Sequence, residues 1–184
     1  TLPKAFIDDI RPYMEAEELD AFCTSLTETE QTTCIRQNRK KLQGEAFDGA
    51  AVIGWNPEDG RYLSVRPNFT LDPRMHAGCY YVQEASSQFI TEVVRQLVSS
   101  PVTALDLCAA PGGKSTALLS AMPEGSVLLS NEIDRRRARI LAENVTKWGN
   151  PNVCVTCNAP ADLSGLTQMF DLIATDVPRS GEGM

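Results

Sequence analysis

From residue 101 onward the chain alternates apolar, strand-like runs with helical stretches, and this alternation constrains the fold more than any other feature. Strand candidates are 102–108, 127–131, 153–156 and 171–176; helices fall at 114–121 and 135–148. Apolar strands separated by helices build a parallel sheet with right-handed crossovers. Ligands of such sheets bind beyond the carboxyl ends of the strands. The turn 108–114, Glu132, the turn 157–160 and Asp176 all fall at that end. The fourth strand would be a bare apolar edge, which is a liability. We therefore expect the chain to be a fragment of a longer protein, or a partner to cover the edge, with further helices needed on the uncovered face.

The first turn of this alternating region lies in "ALDLCAAPGGKSTALLSAM", residues 104–122. Its "GGKST" suggests a phosphate cradle, but a P-loop needs G-x-x-x-x-G-K-[ST] so that backbone N–H groups wrap the phosphates. Cys108 occupies the first glycine position, and Pro111 has no N–H to give. The dinucleotide pattern G-x-G-x-x-G is also absent. What is left is a tight strand-to-helix turn of small residues, which a ligand can approach closely. Glu132 follows Lys114 by 18 residues, at the end of the next apolar run. An acid there is placed to accept hydrogen bonds from ribose hydroxyls. An adenosine-containing cofactor without a phosphate requirement fits, and S-adenosyl-L-methionine is one; NAD is the alternative.

A chain of 184 residues suffices for one good domain, or for one small and one medium domain. A net charge of −7 excludes a whole-surface nucleic-acid binder. Basic character is local, in "IRQNRKK" (35–41) and "DRRRAR" (134–139), and each reads first as a solvated face. The six cysteines are irregularly spaced, as reduced cytosolic thiols are; Cys154 and Cys157 form a C-x-x-C with no second pair to complete a zinc site. No apolar run approaches the roughly 18 residues of a membrane span, and the N-terminus lacks signal-peptide character. The expectation is a cytoplasmic protein with no metal site.

Residues 1 to 27 read as two short helices interrupted at Pro12, the second with Leu19, Phe22, Cys23 and Leu26 on one stripe. "TTCIRQNRKKL" reads as a short strand with a basic end, and 44–73 as a loop-rich region with short apolar pieces. Residues 79–100 begin as a strand and become a helix whose inner stripe is Phe89, Val93, Val94 and Leu97. Trp148 reads as core, with Gly149 and Pro151 as helix stop signals. Trp55 and Tyr62 fit packing at least as well as base stacking.

"LDLCAAPGGKST", "NEIDRRRARILAENVTKWG" and "DVPRSGEGM" resemble the Sun family of S-adenosylmethionine-dependent RNA cytosine-5 methyltransferases, in its bacterial ribosomal-RNA branch. "FTLDPRMHAGCYYVQEASS" is similar to the segment leading into the family's core, and "TTCIRQNRKK" to its N-terminal RNA-side motif. The resemblance implies an α/β fold: a Rossmann-like class I methyltransferase core, here with its first four parallel strands, preceded by a small α+β accessory domain. The expected division is 1–78 and 79–184. The resemblance further implies that Cys108, Ala109, Ala110, Pro111, Gly112, Gly113 and Lys114 form the cofactor loop. Glu132 binds the cofactor ribose, and Asp176 closes the methionine side and faces the target base. Ala159 stands where the family has an adenine-contacting carboxylate, which leaves Asn158 or backbone for that contact. Arg179 stands where the family has a product-releasing cysteine. The nucleophilic cysteine, which attacks C6 of cytosine to activate C5, is expected on a loop beyond residue 184. His76 matches a family histidine and reads as structural or RNA-side. The expected substrate is RNA, and the rival reading is a binding module without catalysis.

Overall fold

The computed structural model describes residues 2–28 and 32–177. They form two compact units, which divide between 28 and 32. The first unit is helical: α1 spans Lys4–Ile10, a 3-10 turn Arg11–Tyr13 carries Pro12, and α2 spans Ala16–Glu28. Leu19 is buried there, Phe6 stacks on Phe22, and Leu26 is exposed.

The second unit opens with an antiparallel sheet. Its strands are β1 (Thr33–Gln37), β2 (Ala51–Val52), β3 (Gly60–Leu63) and β4 (Tyr80–Val82), in the order β2-β3-β1-β4. Every residue of the central strand β1 is buried. Before β4, the short helix α3 (Pro73–His76) starts on Asp72, whose side chain accepts from the Arg74 N–H. Ile35, Ala46, Phe69 and Tyr80 form the core on one side of this sheet. Trp55 and Tyr62 pack around Cys34, Ile53 and Ala85 on the other, and the Trp55 indole donates to the Ala85 carbonyl.

Next come α4 (Phe89–Leu97), β5 (Thr103–Asp106), α5 (Gly113–Ala121), β6 (Val127–Asn131), α6 (Arg135–Trp148), β7 (Val153–Thr156) and β8 (Leu172–Ala174). The strands pair in parallel in the order β7-β6-β5-β8. This is the alternating α/β architecture read from the sequence, with the first strand ending at Asp106 instead of 108. The helix ends follow local chemistry. The Asp134 carboxylate caps α6 by accepting from the Arg136 and Arg137 N–H groups. Gly149, at φ +82°, closes α6 in the left-handed conformation.

All three long helices of this unit pack on one face of the parallel sheet. Ala104, Leu128, Val153 and Leu172 stand side by side in register and meet Val94 of α4, Leu118 and Leu119 of α5 and Trp148 of α6. The opposite face carries Val127, Cys154 and Ile173, all exposed.

Two expectations are corrected. The inner stripe of α4 is Ile90, Val94 and Val98: Val94 is buried as expected, whereas Phe89, Val93 and Leu97 are exposed. The rows 89/93/97 and 90/94/98 both repeat every four residues, and packing on α5 selects the second. The "IRQNRKK" cluster is a solvated face only in part: Arg39, Lys40 and Lys41 are exposed, but Arg36 turns inward. Arg36 is fully buried, Arg39 pairs with Glu45 and Asp59, and the Lys41 ammonium donates to the Ala77 and Lys147 carbonyls. A cation at the last carbonyls of α6 complements the helix dipole.

Candidate active site

The site forms where β5, β6 and β8 end. Asp106 closes β5, is fully buried, and leads into the 107–112 turn. The Ala109 N–H donates to the Asn131 carbonyl and the Gly112 N–H to the Ala109 carbonyl, which folds the turn tightly. Gly112 sits at φ +108°, where a side chain would be strained, and its position next to Leu141 leaves little room for a Cβ. Ala109, Ala110 and Gly112 are buried, Cys108, Gly113 and Lys114 are half-buried, and Pro111 is exposed.

Helix α6 braces the outside of the turn. Arg137 donates to the Ala110 carbonyl at 2.8 Å, and Asn144 to the Pro111 carbonyl at 2.8 Å. From β4, the Tyr81 hydroxyl reaches the same Pro111 oxygen at 3.4 Å. All four arginines of "DRRRAR" are exposed, and Arg137 alone among them reaches back to the turn.

Two carboxylates converge on the turn, each with one oxygen satisfied and one free. Asp106 Oδ2 accepts from the Ser115 hydroxyl at 2.7 Å, which in turn accepts from Ser130 at 3.0 Å. Asp106 Oδ1 has no hydrogen-bond partner among the described residues. Glu132 is 2% exposed, and its Oε1 accepts from the Asp134 N–H. Its Oε2 is buried without a hydrogen bond; Arg137 lies 3.5 Å away, which is attraction without bonding geometry. Buried acceptors without partners are rare and costly, so a pair of them beside one turn marks a place where a ligand donates. Burial raises the Asp106 carboxyl to about 6, against the lowering effect of the Ser115 hydrogen bond and of Lys114; Asp176 and Glu132 push the same way as burial.

Asn131 fastens the neighbouring loop. Its side chain donates to the Leu107 and Asn158 carbonyls and accepts from the Asn158 N–H, so the Asn158 backbone is clamped against the site. Asp176 is exposed and forms an ion pair with Lys114 at 2.5 Å across the mouth. Arg179 lies outside the described residues. Burial pushes the Cys108 thiol up, with Glu132 and Asp106 adding to the effect, which suits a packing residue and not a nucleophile. His76 is exposed, with Nε2 2.9 Å from the Thr70 carbonyl.

The structure thus brings 108–114, Glu132, Asn158 and Asp176 to one end of the sheet. The sequence reading did not single out Asp106, Asn131, Arg137 or Asn144. Asp106 carried a signal, as an acid ending the first apolar strand. The others act on backbone carbonyls, for which no residue pattern exists.

A parallel sheet with a glycine turn after its first strand and a buried acid after its second is the fold of Rossmann-like methyltransferases. Two family models divide the chain: the N-terminal domain of 16S rRNA methyltransferase RsmF matches residues 2–85, and 16S rRNA methyltransferase RsmB/F matches 98–184. The chain belongs to this Sun-type family. Ribosomal RNA small subunit methyltransferase F of Pectobacterium atrosepticum is 29% identical over 100% of the chain and 40% of its own length. The chain therefore spans about 40% of the length of the curated relatives it matches. Among solved structures, NSun6 from Pyrococcus horikoshii, determined with SFG, superposes with TM-score 0.79 at 16% identity, over 96% of this chain and 70% of that one. A methyltransferase homolog protein from Pyrococcus horikoshii superposes with TM-score 0.71 at 24% identity, over 98% and 65%. These two establish the fold.

Proposed function

We propose that the chain is the cofactor-binding portion of an S-adenosylmethionine-dependent methyltransferase that forms 5-methylcytosine in RNA, with ribosomal RNA as substrate, in the cytoplasm. The observation that carries this reading is the free, buried Glu132 Oε2 beside a turn that lacks a phosphate cradle. A ribose diol supplies two O–H donors to a carboxylate, and the turn tolerates a neutral or cationic ligand better than a phosphate. The residues therefore fit the cofactor.

In this reading Glu132 holds the ribose and the 108–114 backbone lies along the nucleoside. Asp106 Oδ1 is the second open acceptor, available to the ammonium of the methionine part. The Asn158 backbone, fixed by Asn131, stands in for the missing carboxylate at Ala159. When bound, the cofactor supplies an electrophilic methyl group on a sulfonium. Asp176 and Lys114 lie at the mouth, where the target base would enter, and we assign Asp176 a supporting catalytic role. Residues 1–78 would face the RNA, and 79–184 would hold the cofactor. A further segment of the same protein, or a partner, would cover the β8 edge and the sheet face bearing Ile173.

We assign the C6 nucleophile to none of the six cysteines. Cys34 is buried, burial raises the Cys108 thiol, and Cys154 and Cys157 lie on and just after β7, with the Cys157 thiol against the Ile133 carbonyl. This favours the binding-module reading for the chain on its own. The test is titration of the chain with S-adenosylhomocysteine. Glu132→Ala is expected to weaken binding by about 1–3 kcal/mol, the cost of losing a charge-assisted partner; equal affinity of variant and wild type removes Glu132 from the site.

A further inference from the structure

Arg36 lies on β1, in the antiparallel sheet, yet its side chain is spent on α5. Its Nε donates to Gln83 Oε1 at 2.9 Å. One terminal nitrogen donates to the Thr116 carbonyl and the Ser120 hydroxyl, both at 3.2 Å. The other donates to the Gly113 carbonyl at 3.3 Å and to the Thr116 hydroxyl at 2.6 Å. A guanidinium has five N–H donors in a fixed fork, and all five are used. The plane also lies over Trp148, 4.5 Å from the ring centroid.

This arrangement is costly. The guanidinium is fully buried and pairs with no carboxylate within ion-pair distance among the described residues. It also places a cation beside the first turns of a helix, opposing the dipole. Burial lowers its pKa to about 10. A sequence that breaks local rules in this way commonly does so at a functional site. The fork ends on the cofactor loop: the Thr116 hydroxyl, which accepts from Arg36, spends its own proton on the Gly112 carbonyl at 2.8 Å. Gly112 is the left-handed residue that turns 108–114 into α5.

We infer that Arg36 is a positioning residue: through Thr116 and the Gly113 carbonyl it fixes the Gly112–Gly113 peptides, and so the shape of the loop that receives the cofactor. Two neighbours extend the device. Asn38 donates to the Trp148 and Gly78 carbonyls, and Lys41 to the Lys147 and Ala77 carbonyls, so the same strand end also fastens the end of α6. The basic motif is thus a clamp on both helices that frame the loop.

The inference rests on the cofactor reading for its affinity arm, and on the fold alone for its exchange arm. The complete chain is compared with Arg36→Lys, Thr116→Val and the double variant. Affinity for S-adenosylhomocysteine is read by calorimetry, and amide hydrogen exchange is read in peptides covering 107–117 and 126–131. Lysine keeps the charge but has only three donors and no fork. We expect Arg36→Lys to weaken binding at least tenfold and to speed exchange in 107–117 while leaving 126–131 unchanged. Thr116→Val is expected to do the same, with the double variant within twofold of the weaker single, as for residues acting through one another. Affinity within twofold of wild type with unchanged loop exchange overturns the inference. So does exchange that rises equally in both peptides, which marks Arg36 as an ordinary fold contact. If the wild-type chain takes no S-adenosylhomocysteine, the cofactor reading fails, and the exchange arm alone decides the clamp.

Discussion

At the scale of single residues, the site is defined by acceptors left open. Asp106 and Glu132 are both buried, and each keeps one oxygen without a donor. For Asp106 this has a pH signature. Its unfolded carboxyl releases its proton near pH 4, and the folded one near 6, because burial disfavours the charge. The folded state therefore holds the extra proton between those values, and stability falls as pH rises through that window. Asp106→Asn keeps an acceptor for Ser115 and removes the charge. We expect it to raise stability at pH 7 by about 1–3 kcal/mol and to flatten the profile between pH 4 and 6, as read by urea unfolding. An unchanged midpoint at pH 7 contradicts the assignment. Glu132 was singled out in the sequence as an acid ending the second apolar strand, and the structure adds that it is buried with one oxygen open. Arg36 was not, because a basic run carries no sign of which cation turns inward. Its partners are a side-chain amide, carbonyls and hydroxyls 47 to 84 positions away.

At the scale of elements, the periods were readable and one phase was not. The limits of β6, α6 and β7 agree with the sequence reading to the residue. In α4, two apolar stripes of equal spacing compete, and only the neighbouring α5 and β5 decide between them. The consequence is measurable. Val94→Ala should cost about 2 kcal/mol, for two buried methyl groups and the space they leave. Leu97→Ser should stay within about 0.5 kcal/mol of wild type. The reverse order in urea unfolding would show that α4 packs on the other stripe. A second test concerns Gly78, at φ +73°, where an added Cβ would lie 1.9 Å from the Lys147 carbonyl oxygen. Gly78→Ala should destabilise by more than about 2 kcal/mol, since it combines a strained φ with a backbone clash. A neutral substitution would mean that the β4 approach and the end of α6 are not in this close contact.

At the scale of the whole molecule, the parallel sheet is clothed on one face and half of the family's length is accounted for at most, since the chain spans about 40% of its curated relatives. The class of fold was legible from the strand–helix alternation, and the family from three motifs at the carboxyl ends of the strands. The clamp between the antiparallel sheet and the cofactor loop was not, because it depends on contacts across the chain. With the nucleophile assigned outside this chain, the chain alone is expected to form no covalent adduct with 5-fluorocytosine RNA, as read by denaturing electrophoresis; an adduct on any of the six cysteines would contradict that. The most direct test of the cofactor assignment is parallel calorimetric titration of the unaltered chain with S-adenosylhomocysteine and with ATP. We expect saturable binding of S-adenosylhomocysteine and none of ATP. Binding of ATP that depends on Lys114, with no binding of S-adenosylhomocysteine, would contradict it.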